Sequence, residues 1–92
     1  ERMKKTDLLY TKMVQDSQNR PLELAYYLVS ETESGDITQY GVTIRASRAG
    51  ARTDAQLCAI TVSAERIEEL LRLLANGSVT PVGLRDVVDD WL

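Results

Sequence analysis

The spacing of apolar residues changes once along this chain, at Ser63, and no other feature constrains the fold as strongly. Before Ser63, apolar and polar residues alternate, the period of a half-buried strand. Residues 22–32 place Leu22, Leu24, Tyr26 and Leu28 on one side and Glu23, Ala25, Tyr27, Val29 and Glu31 on the other. Residues 37–48 likewise place Tyr40, Val42, Ile44 and Ala46 against Gln39, Gly41, Thr43 and Arg45. After Ser63 the spacing becomes helical: Ile67, Leu70, Leu71 and Leu74 form one stripe, and Leu84, Val87, Val88 and Trp91 form a second. Both stripes need a surface to cover, and the even-numbered side of the strands offers it. The implied fold is α+β in the order ββββαα: a four-stranded antiparallel meander followed by two amphipathic helices packed on one sheet face.

The outer segments complete the meander. In the first, Leu8 to Gln15, the residues Leu8, Tyr10 and Val14 compete with Leu9 and Met13 for the inner face. Asp16-Ser17-Gln18-Asn19 supplies a turn, and Pro21 opens the next strand where a missing N–H is tolerated. The fourth segment spans about residues 53–62, with Cys58, Ile60 and Val62 expected inward and Cys58 read as a small buried thiol.

Register follows from keeping the even faces together, since residues directly opposite share a face. Tyr26 is then expected to face Val42, and Leu24 to face Ile44. That pairing sets Thr32 opposite Asp36 and leaves the three-residue loop Glu33-Ser34-Gly35, with Gly35 in the left-handed position. The same logic sets Val42 opposite Cys58, Tyr40 opposite Ile60 and Arg48 opposite Arg52.

Helix signals agree with the stripes. Ser63 is a suitable N-cap, and Glu65 suits the positive end of the first helix. Asn76-Gly77 reads as its stop, with Gly77 left-handed. Thr80-Pro81 opens the second helix as N-cap and first residue.

Length and composition bound the rest. Ninety-two residues make one domain, 1–92, of which residues 1–7 are expected to form a flexible tail. No apolar run approaches the ~20 residues of a membrane-spanning helix. Cys58 is the single cysteine, so no intrachain disulfide forms, which fits a reducing cytoplasm. The net charge of −3 disfavours nucleic acid as a general partner. Residues 1–63 balance their charges, so the whole excess lies on the C-terminal helices.

The search for chemistry is mostly negative. There is no histidine, the commonest general base and metal ligand near neutral pH. No phosphate loop or zinc spacing occurs either, so no catalytic residue, cofactor or metal is assigned and the chain is read as non-enzymatic. Asp86, Asp89 and Asp90 share a helical side and form a candidate acidic contact for a basic partner; Asp89 and Asp90 oppose the helix dipole. Arg45, Arg48 and Arg52 form a candidate anion or nucleic-acid-backbone site, because facing arginines at a hairpin neck would welcome a bound anion. Tyr27, Val29, Ile37 and Thr43 would lie on the sheet side left bare by the helices, a candidate homodimer face. The leading reading is an interaction module able to dimerise, and the alternative is the anion binder.

Four strings carry a resemblance: Tyr26-Tyr27-Leu28, Tyr40-Gly41-Val42, Val79-Thr80-Pro81 and the ending Leu84-Arg85-Asp86-Val87-Val88-Asp89-Asp90-Trp91-Leu92. Together they resemble a family of short uncharacterised proteins of anaerobic Gram-positive bacteria, a domain of unknown function. The terminal string is the most specific, and it departs from the family pattern in ending Trp-Leu instead of Phe-Leu. The resemblance implies one compact unit and brings no activity, cofactor or site residue with it.

Overall fold

The computed structural model describes residues 3–32 and 37–92. Strands β1 (Met3–Gln15), β2 (Pro21–Thr32), β3 (Thr38–Arg48) and β4 (Ala51–Thr61) pair antiparallel in sequence order. Helix α1 (Ala64–Asn76), a short 3-10 turn (Pro81–Gly83) and helix α2 (Leu84–Trp91) follow. The architecture is the expected ββββαα.

The core lies between one sheet face and the helices. Leu24, Tyr26, Val42 and Ile44 are fully buried, as are Ile67, Leu70, Leu71 and Leu74 of α1; Leu84 and Val88 of α2 complete the layer. Alternation on the strands and helical spacing on α1 and α2 thus bring both apolar sets to one layer. Removing this area from water is the main stabilising contribution, about 1.5–3 kcal/mol for each large side chain.

Polar contacts tie the layers together. The Tyr26 hydroxyl donates to the Val79 carbonyl at 2.9 Å, and Lys12 Nζ donates to the Ala75 carbonyl at 2.9 Å. The two accepting carbonyls lie in and just beyond the C-terminal turn of α1, so both contacts tie the end of that helix to the sheet. At its start, Ser63 Oγ accepts from the Arg66 N–H at 3.2 Å, the expected N-cap. Thr80 precedes the 3-10 turn as N-cap without a side-chain hydrogen bond, with Pro81 at its first position.

Several expectations need correction. Of the tail expected over residues 1–7, residues 3–7 instead belong to β1 and pair with residues 28–32 of β2, and residues 1 and 2 lie outside the described residues. The register of β2 with β3 differs by two residues: Tyr26 faces Ile44, Leu28 faces Val42 and Thr32 faces Thr38. A two-residue offset preserves every face, so the apolar pattern satisfies both registers equally. The Glu33-Ser34-Gly35 loop itself lies outside the described residues. At the end of α1, Gly77 has φ −86°, and Ser78 carries the left-handed φ of 52°. The helix still closes there through hydrogen bonds from Gly77, Ser78 and Val79 N–H groups to Leu73, Ala75 and Leu74 carbonyls.

Strand β4 departs most. Val42 faces Leu57, not Cys58, and Tyr40 faces Thr61, not Ile60. The register breaks between these pairs, leaving residues 58–60 against the single residue Gly41. Ala59 holds a left-handed φ of 54° in this bulge. Leu57 and Ala55, opposite Val42 and Ile44, pack against the core, while Cys58 and Val62 are exposed; Ile60 reaches the core from within the break. A second bulge, between Leu8 and Tyr10 of β1, settles that strand's ambiguity by placing Tyr10 and Val14 against the core.

Candidate functional site

The helices cover one sheet face and leave the other open. On that outer face the register aligns Leu8 of β1, Tyr27 of β2 and Thr43 of β3 in one row. The next row runs Thr11, Ala25, Arg45 and Asp54 across all strands. An open cleft of 270 Å³ lies here, lined chiefly by Thr6, Tyr27, Thr43, Arg45, Asp54 and Gln56.

Arg45 organises the cleft. Its Nε donates to Asp54 Oδ1 at 3.0 Å, and its guanidinium lies 5.2 Å from the centre of the Tyr27 ring. It also approaches the Tyr27 hydroxyl at 3.4 Å. Charge pairing and a cation–π contact hold Arg45 flat along the sheet.

The arginine trio does not converge. Arg48 faces Ala51 and Arg52 faces Ser47, across a tight turn with Ala49 at φ 50° and Gly50 at φ 84°. Arg45 and Arg52 therefore share the outer face, and Arg48 points to the side of the helices. Each has an acidic neighbour: Arg45 pairs with Asp54, Arg52 lies 3.9 Å from Asp54, and Arg48 pairs with Asp16. The expected Arg48–Arg52 opposition, and the need it created for an anion, is corrected by this register.

Asp16 is the more organised group. Its Oδ1 accepts from the Arg20 N–H at 2.9 Å and the Gln18 N–H at 2.8 Å. The Arg20 hydrogen bond is the largest influence holding its carboxyl below the usual carboxylate range; those of Gln18 and Arg48 add to it. Asp16 thereby shapes the β1–β2 turn and links it to the end of β3.

Of the candidate dimer residues, Tyr27 and Thr43 are half-buried on the outer face and Ile37 is exposed just before β3. Val29 is the exception. It is 1% exposed and so is corrected from an uncovered residue to a buried one. Its neighbour across the pair is Gly41, over which the β4 bulge lies. Leu8 (52% exposed) and Met13 (63%) on β1 belong to this face and were not singled out from sequence. Periodicity gave no signal for the pair: the bulge after Leu8 lets even-numbered Leu8, beside Tyr27, and odd-numbered Met13, beside Glu23, share one face.

Asp86 stands in the first turn of α2, and all three candidate aspartates, Asp86, Asp89 and Asp90, are exposed. Among the described residues, no group of three or more His, Cys, Asp or Glu side chains is placed to hold a metal ion. Arg66 of α1 lies 4.4 Å above the ring of half-buried Trp91, docking the end of α2 against α1.

A family of unknown function, DUF6514, matches residues 5–92. The chain belongs to that family. The match runs from the third residue of β1 to the end of α2 and includes the terminal string that carried the resemblance, so it takes in the ββββαα unit but for the first two residues of β1. No curated protein and no solved structure matches this DUF6514 chain. No helix among the described residues is long and apolar enough to cross a membrane.

Proposed function

We propose that this chain is a non-enzymatic interaction module whose partner is a second copy of itself, docked through the outer sheet face. The observation that carries the proposal is the exposure of Leu8 beside Tyr27 and Thr43, with exposed Met13 further along the same strand beside Glu23, on the face opposite the helices. Apolar residues clustered on one open sheet face are the usual substrate for sheet-on-sheet packing.

Charge supports self-association through this face. Among the described residues of the outer face, Lys4, Arg45 and Arg52 balance Glu23, Glu31 and Asp54. Two such neutral faces meet without net repulsion and keep the acidic helices on the outside. The strand edges are less suited: Lys4 and Lys5 lie on β1, and each edge strand carries a bulge, all features that blunt edge pairing. We place the module in the cytoplasm, where an exposed lone thiol such as Cys58 stays reduced.

Analytical ultracentrifugation over a wide concentration range tests this reading. A concentration-dependent dimer is expected. A single monomeric species at the highest concentration would overturn it.

A further inference from the structure

We draw no further inference here: the strongest candidate, the open cleft between β4 and the Pro81–Asp86 segment lined by Leu57, Val82 and Leu84, carries nothing because no feature of the structure shows what covers it.

Discussion

A Cβ placed on Gly41 would lie 2.3 Å from the Leu57 carbonyl oxygen and 2.8 Å from the Cys58 Cα. Both atoms are backbone, so neither can rotate aside. Glycine is therefore what lets β4 fold its bulge over β3, and Ala59 supplies the left-handed residue that turns the strand. Gly41→Ala should cost about 3 kcal/mol, the upper end for overpacking. In a domain of this size that lowers the melting midpoint by more than about 10 °C. Ala59→Gly should be neutral or stabilise by roughly 1 kcal/mol, because it relieves the left-handed backbone. Calorimetry of both variants checks the pair; a Gly41→Ala protein as stable as the parent would contradict the bulge.

Tyr26 offers a cleaner probe of how the helices are held to the sheet. Its ring is fully buried, and its hydroxyl satisfies the Val79 carbonyl. Tyr26→Phe keeps the packing and orphans that carbonyl, so a loss of about 1–2 kcal/mol is expected in urea denaturation. Burial also pushes the Tyr26 hydroxyl up from its ordinary 10 to about 12. The folded state thus holds this proton more tightly than the unfolded state. Its contribution is complete below pH 10 and is lost as the pH rises through about 12, on the order of 2 kcal/mol in all. Comparison of the two proteins from pH 9 to 12 should show the Tyr26→Phe deficit shrinking and then reversing.

For Asp16 the sign is opposite. Its carboxyl titrates below 3.8, so the stability it contributes is present above that value and disappears as the pH falls through the lowered folded value. Asp16→Ala should melt lower than the parent at pH 7, with the gap closing at increasingly acid pH. Amide exchange should also quicken at Gln18 and Arg20, whose N–H groups lose their acceptor. A gap that stays constant down to pH 2 would mean the carboxylate charge plays no part.

These residues also show how far the fold was legible. The buried layer was readable from Leu24, Tyr26, Val42 and Ile44 on the strands and Ile67, Leu70, Leu71 and Leu74 on α1, because periodicity reports which side faces the core. Periodicity is blind to a slip of two, so the β2–β3 register could not be read from Tyr26 and Val42 alone. It is also blind to bulges. The turn after β3 holds two residues, Ala49 and Gly50, not the three that the Arg48–Arg52 pairing assumed, and this one-residue difference exchanges Cys58 for Leu57 opposite Val42 and undoes the arginine pairing, while the bulge at Ala59 further displaces Ile60 from Tyr40. Gly41 was a clue in plain view, a glycine within a strand, which often marks a bulge or a close backbone approach. The open face was legible as a face, through Tyr27 and Thr43. Val29 was placed on the open face and Leu8 grouped with Tyr10 and Val14 as an inner contender because the bulges beside them leave no periodic trace.

The proposed dimer makes the last prediction, and it separates face from edge. Leu8→Glu with Met13→Glu places two carboxylates on the outer face without touching the core, since both side chains are already exposed. In a face-to-face dimer each carboxylate would be buried against the opposite sheet, where an unpaired charge is strongly unfavourable. The double variant should sediment as a monomer at concentrations where the parent dimerises, with an unchanged circular dichroism spectrum. Leu73→Glu is the matched control: Leu73 is half exposed on α1, away from the sheet's open side, and its substitution should leave the dimer intact. If Leu73→Glu dissociates the dimer and the β1 pair does not, the interface lies on the helices, and the charge balance of Lys4, Arg45 and Arg52 with Glu23, Glu31 and Asp54 has no part in assembly.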